Sequence, residues 1–115
     1  MKTSKVRIKD NTIRKYIRQV DNMKFMTVET DFCSHNTIEV EVGTTGYEAG
    51  TNKYDVKTYF RISDTGGTQI EAKSSPAGVE VFLEGESELY TITEALKFIV
   101  SILEKQEKGE LTNVV

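Results

Sequence analysis

From residue 26 to residue 83 the chain alternates. Met26, Val28, Thr30 and Phe32 occupy every second position, and so do Ile38, Val40 and Val42. The same spacing returns in Thr58, Phe60 and Ile62, in Ile70 and Ala72, and in Val79, Val81 and Leu83. A period of two marks a strand with one face toward a core, so five strands are expected. The breaks between them are turn sequences: Ser34-His35-Asn36, Asp64-Thr65-Gly66-Gly67 and Ser74-Ser75-Pro76-Ala77-Gly78. Connections this short join antiparallel neighbours, because a parallel pair needs a long crossover. One connection is different. The 14 residues from Gly43 to Val56 far exceed the two to five of an ordinary hairpin loop.

Helical spacing flanks the alternating region. Ile13, Tyr16, Ile17 and Val20 recur at i, i+3, i+4, i+7 behind Asp10-Asn11-Thr12, and Asp21-Asn22 then breaks the pattern. This spacing predicts a short amphipathic helix over about 12–21. A second helix is predicted over 91–108. Thr91 and Glu94 have the spacing of a capping box, Lys105 and Lys108 suit the C-terminal dipole, and Gly109 ends the run. Its apolar positions Ile92, Ala95, Leu96, Ile99, Val100 and Leu103, widened by Phe98 and Ile102, form a face broader than one side of a small sheet covers. Burial of the surplus against a second subunit is expected. The expected fold is α+β: an antiparallel meander of four to five strands, a C-terminal helix packed on one face, and a short N-terminal helix. The helix is expected to cover the face that carries Ile38, Val40, Phe60, Ile62, Ile70 and Val81.

Length and charge refine this picture. The 115 residues suit a single domain, read as a basic arm and helix (1–24), an antiparallel sheet (25–84) and a C-terminal helix (91–108). The net charge is −3, but residues 1–24 carry eight Lys and Arg against Asp10 and Asp21, or +6, which leaves −9 on the remainder. Such an arm could meet phosphates or lie on the acidic body of its own or a neighbouring subunit. No apolar run approaches the roughly 20 residues of a membrane span, and the basic N-terminus lacks the apolar centre of a secretory leader. A single cysteine, Cys33, rules out an intramolecular disulfide. The expected setting is the cytoplasm of a bacterial host.

Several patterns resemble chemistry, and each has a plainer reading. Asp64-Thr65-Gly66 is the aspartic-protease tripeptide, yet it runs straight into Gly67 as a turn would. Cys33-x-His35 pairs the only thiol with the only imidazole, but no orienting group or oxyanion site accompanies them. One Cys and one His cannot complete a zinc site, so no metal is expected. The acidic pairs read as solubility charges. Only the N-terminal arm offers the basic surface that duplex DNA needs. Gly43-Thr44-Thr45-Gly46 is no P-loop, but glycine lets backbone amides approach an anion, and two hydroxyls stand beside them. On the strand faces opposite the apolar alternation stand Glu39 and Glu41, Lys57, Tyr59, Arg61 and Ser63, then Glu80, Phe82 and Glu84. Tyr59, Arg61 and Phe82 could stack a base and hold a phosphate, or could form a second small core beneath the N-terminal helix.

The segments TIEVEVGTTGY (37–47), KTYFRISDTGGTQIEA (57–72) and ELYTITEALKFIVSILEK (88–105) together resemble the Thoeris anti-defence sponge proteins of the first described type, small proteins of Firmicute phages and prophages. The resemblance spans about residues 37–105. It implies an α+β protein that assembles into dimers or hexamers and holds cyclic ADP-ribose isomers in pockets at subunit interfaces. Some members also hold cyclic oligonucleotides. Sequestration without cleavage would need stacking rings and phosphate donors but no catalytic residue and no cofactor. The positions expected to bind are Thr44, Thr45, Gly46, Tyr47, Lys57, Tyr59, Arg61 and Phe82, with Tyr54 as a further ring. Lys57 stands where related sequences carry an arginine, a point charge in place of a bidentate fork. Arg61 is the only arginine beyond Arg18, so a pocket that needs two would recruit Arg7, Arg14 or Arg18. The alternative is a phage or prophage inhibitor whose long loop and acidic face dock a host defence protein. A phosphodiesterase-like enzyme acting on the same signals is the third reading.

Overall fold

The computed structural model describes residues 13–46 and 56–109. The N-terminal part of the basic arm, the centre of the long loop with Tyr47 and Tyr54, and the last six residues lie outside this range. In chain order the elements are β1 (Arg14–Val20), β2 (Met23–Cys33), β3 (Thr37–Thr44), β4 (Thr58–Gly66), β5 (Glu71–Ser75), β6 (Gly78–Phe82) and α1 (Glu86–Glu107). Strands β1 to β4 form an antiparallel meander in sequence order, and β5 pairs only with β6 as a separate hairpin. The α+β class, the meander and the helix on the sheet are as expected.

The predicted N-terminal helix is a strand. The positions Ile13, Tyr16, Ile17 and Val20 fit a helical stripe, but Arg14, Tyr16 and Arg18 also alternate, and the turn decides between the two. Asp21 and Asn22 both have positive φ, 49° and 68°. That is the two-residue hairpin geometry whose twist matches flanking strands, and Asp and Asn tolerate it. Val20 therefore pairs with Met23, and the register runs back to Arg14 opposite Glu29. What looks like a helix stop is a hairpin turn.

Helix α1 lies mainly over β3 and partly over β2. Val28, Phe32, Ile38, Val40 and Val42 from the sheet meet Ala95, Ile99 and Ile102 in an apolar core. Phe32 and Phe98 meet edge to face with centroids 5.8 Å apart. Because the helix sits over β3, part of the expected core face stays open. Ile62 is half-buried against the core, but Phe60 is 54% exposed and Val81, on the hairpin, is 46% exposed. Ile70 is only partly covered.

The helix also begins earlier than the predicted residue 91. Gly85, at φ 118°, is its N-cap, and Glu86 and Glu88 place negative charge in the first turn, where the helix dipole favours it. Thr91 is thus inside the helix and caps nothing. It is buried, and its hydroxyl donates to the carbonyls of Ser87 and Glu88 while accepting from Asn36 Nδ2 at 3.0 Å. Asn36 ties three segments together. Its Nδ2 also donates to Thr68 Oγ1 at 2.5 Å, and its Oδ1 accepts from Ser87 Oγ. At the other end the buried Gln106 accepts from Thr44 Oγ1 at 2.8 Å and donates to the Met26 carbonyl at 3.0 Å. Both ends of the helix are pinned by satisfied buried polar groups, which fixes its position along the sheet. Gly109 follows with φ 79°, as the predicted helix stop.

Candidate functional site: the arginine face of the sheet

Alternation that sends Val28, Val40 and Val42 to the helix sends their neighbours to the opposite face. Directly opposed residues share a face, so the pairings define rows across the sheet. One row is Arg14, Glu29, Glu41, Arg61, which spans all four strands. The next is Tyr16, Thr27, Gly43, Tyr59. Glu29 and Glu41 stand side by side as like charges, which would destabilise the pair without cations beside them. Arg61 supplies one: its Nη2 donates to Glu29 Oε2 at 2.9 Å and to Glu41 Oε1 at 3.0 Å, and its Nη1 reaches Glu39 at 3.2 Å. Arg14 Nε donates to Glu29 Oε1 at 2.6 Å, and its Nη2 lies within ion-pair distance of Asp31 and Glu39. Arg18 makes a bidentate pair with Glu41, Nε at 3.0 Å and Nη2 at 2.7 Å, which leaves Nη1 outside that pair. The result is a lattice of three guanidiniums and four carboxylates.

Glu41 is the most enclosed member, with no exposed surface. Burial alone would push its carboxyl up. Hydrogen bonds from Arg18, Thr27 and Arg61 outweigh burial and hold it below the ordinary carboxylate value. Burial likewise disfavours the Arg61 cation, but Glu41 and Glu39 raise its pKa well above the usual arginine range. Arg18 is raised first by its bond to Glu41, and Arg14 by its bond to Glu29. All three guanidiniums are locked in the charged form.

Gly43 gives this face its shape. A β-carbon there would fall inside the Met26 carbonyl, so only glycine fits the close approach of β2. On the same face, the rings of Phe25 and Tyr59 meet with centroids 5.6 Å apart. Arg18 lies 6.0 Å from the centre of the Tyr16 ring.

Of the positions expected to bind ligand, Tyr59 and Arg61 share this face. The recruitment of arginines from the arm also has a structural counterpart, since β1 brings Arg14 and Arg18 beside Arg61. Lys57 stands exposed one residue ahead of β4. The other described positions are elsewhere. Thr44 points to the helix, where it bonds Gln106. The Gly43–Gly46 amides are used internally: Thr45 N donates to the Lys57 carbonyl and Gly46 N to Thr44 Oγ1, while Lys57 N donates to Thr45 Oγ1. These bonds close the end of the β3–β4 ladder. Phe82 is on the hairpin, where Lys73 Nζ lies 5.6 Å from its ring centre. It lines an open cleft of about 790 Å³ with Asp64, Glu71, Glu84 and Glu88, and no Lys or Arg stands among the described lining residues to receive an anion. Glu29, Asp31 and Phe25 belong to the face but were hidden in the sequence, since the significance of one strand's outer positions depends on which strands flank it.

The other motifs resolve into structure. Asp64 Oδ1 accepts from the amides of Gly66 and Thr68, a turn closure next to the bulge that ends β4. The Cys33 thiol accepts from Thr37, and the His35 amide donates to Ser87. No group of residues suited to a metal ion occurs among the described residues, and none of their helices is long and apolar enough to cross a membrane. In comparisons with known proteins, no family model matches the chain, and no curated protein or solved structure matches it either.

Proposed function

We propose that this chain is a sequestering protein for a cyclic nucleotide-type signal of the cyclic ADP-ribose kind, held on the arginine face and not cleaved. The observation that carries the reading is the union on one sheet face of Arg14, Arg18 and Arg61 with Tyr16 and Tyr59. A cyclic dinucleotide-like ligand offers two phosphates and flat rings. Guanidinium forks match phosphate oxygens, and aromatic rings stack on bases. The carboxylates hold the three forks in place before a ligand arrives, which lowers the ordering cost of binding. The ligand takes up donor capacity at the rim, such as Arg18 Nη1, while Glu41 continues to anchor Arg18 and Arg61. No step of this binding requires a nucleophile or a general base. The resemblance of residues 37–105 to the Thoeris sponges supports the same ligand class.

Titration calorimetry with a panel of cyclic ADP-ribose isomers and cyclic oligonucleotides tests the reading. The expected result is micromolar or tighter binding of at least one, followed by recovery of intact ligand when the complex is heat-denatured. Binding followed by release of a cleaved product would make the protein an enzyme. No binding, together with capture of one host defence protein, would make it a direct inhibitor.

A further inference from the structure

The carboxylates of the arginine face fall into two tiers. Glu29 and Glu41 form the inner one: their side chains are 8% and 0% exposed, and the guanidiniums meet them at 2.6–3.0 Å. Charge-assisted bonds of this length fix the direction of a fork. Asp31 and Glu39 form the outer tier, with side chains 33% and 25% exposed. Arg14 Nη2 stands 3.4 Å from Asp31 and 3.5 Å from Glu39, and Arg61 Nη1 stands 3.2 Å from Glu39. Ion pairs this long and this open to water hold little. The outer pair is also set against itself. Asp31 lies directly opposite Glu39 in the β2–β3 register, a relation in which like charges repel. Next in that row is Ser63, whose hydroxyl oxygen accepts from Arg61 Nη1 at 2.5 Å, so its own proton can be donated elsewhere. The inner tier alone leaves the three guanidiniums with a surplus of one positive charge, and the outer tier turns that into one negative.

We propose that Asp31 and Glu39 are stand-ins for a phosphate: they occupy Arg14 Nη2 and Arg61 Nη1 until a phosphate of the ligand displaces them, and so they decide which anions enter. The inference rests on the arginine face being the ligand site, and it adds where one phosphate sits and what it replaces. That phosphate meets Arg14 Nη2, Arg61 Nη1 and the Ser63 hydroxyl, while the other phosphate takes Arg18 Nη1. Glu29 and Glu41 stay bound throughout and keep the forks aimed. Displacement costs little, because both outer carboxylates already border water and can turn into it. Their charge stays close by, however. A singly charged anion gains too little from two guanidiniums to offset that repulsion, whereas a diphosphate gains enough. Asp31 and Glu39 are therefore specificity residues that weaken binding of every anion and weak anions most.

The decisive experiment titrates the isotope-labelled full chain with inorganic pyrophosphate, in a buffer without other multivalent anions, and follows the amides of Arg61 and Ser63. The wild type is compared with Asp31→Asn/Glu39→Gln, with Glu41→Gln, and with Glu80→Gln/Glu84→Gln, which removes the same charge at the hairpin. Circular dichroism verifies that each variant is folded. Asp31→Asn/Glu39→Gln is expected to bind about tenfold more tightly than the wild type. Glu41→Gln should bind more weakly, because Arg18 and Arg61 lose their shared anchor, and the hairpin variant should match the wild type. Unchanged or weaker binding by Asp31→Asn/Glu39→Gln would overturn the inference, as would an equal gain in the hairpin variant or no shift in any protein. Pyrophosphate is not the cyclic nucleotide, so the two failures separate. The expected gain without binding of any cyclic nucleotide would keep this subsite and sink the ligand reading. Cyclic-nucleotide binding on this face without the gain would do the reverse.

Discussion

The two faces of the four-stranded sheet come from the same strands and differ by a single residue step. On the helix side, Val28, Ile38, Val40 and Val42 are buried against Ala95, Ile99 and Ile102. On the other side, the interleaved residues include Arg14, Arg18, Glu29, Glu41 and Arg61, linked in a charged lattice. The first face derives its stability from area removed from water, which any well-fitting apolar side chain provides. The second has exchanged hydration for ion pairs, and such pairs contribute little net stability for the desolvation they require. This face contributes little to folding yet fixes three guanidiniums in place, and the proposed ligand role rests on that geometry.

The contrast can be broken from the helix side first. Ile38 has no exposed surface, so Ile38→Ala is expected to cost about 4 kcal/mol in chemical denaturation, through lost burial and the cavity left behind. Asn36→Ala, which removes the buried amide shared by Thr68, Thr91 and Ser87, is expected to cost about 3 kcal/mol. It should also raise amide exchange at the start of α1 more than at its end. Arg61→Met strips Glu41 of one donor but leaves Arg18 and Thr27, and Arg61 is partly in solvent. Its stability loss should therefore be smaller, about 2 kcal/mol, while ligand binding falls by at least tenfold.

The smallest effect is a pH slope. Glu41 has a folded pKa below its ordinary value of 4.5. Below that value the unfolded chain binds the proton more readily than the folded one. The stability from Glu41 is therefore complete above the unfolded pKa and is lost as pH falls through the folded one. In thermal melts across the acid range, Glu41→Gln should show a shallower acid-side decline than the wild type. An equally steep decline would mean that the lattice does not hold this carboxyl ionised.

The unequal legibility of the two faces in the sequence has the same origin. Alternation is a property of one strand, so Ile38, Val40 and Val42, and with them the helix side, are evident from residue spacing alone. The helix start is not, because Thr91 and Glu94 match a capping box while Gly85 does the capping. The arginine face is a property of several strands at once. Reading Tyr59 and Arg61 outward from β4 is straightforward, but their neighbours on β1 were concealed by a stripe that fits two periodicities. Only the positive φ of Asp21 and Asn22 separates hairpin from helix there. Phe82 shows the reverse error: its alternation is right, but it belongs to a hairpin outside the sheet, and no strand-level pattern distinguishes a fifth sheet strand from a separate arm.

The central claim is that the ligand occupies the arginine face. It is tested most directly by amide chemical-shift mapping of the isotope-labelled chain as a cyclic ADP-ribose isomer is added. The account predicts that the largest shifts cluster at Arg18, Thr27, Tyr59 and Arg61, with the helix-side strand positions and the β5–β6 hairpin little changed. Shifts confined to the acidic cleft around Phe82, or none at saturating ligand, would contradict it.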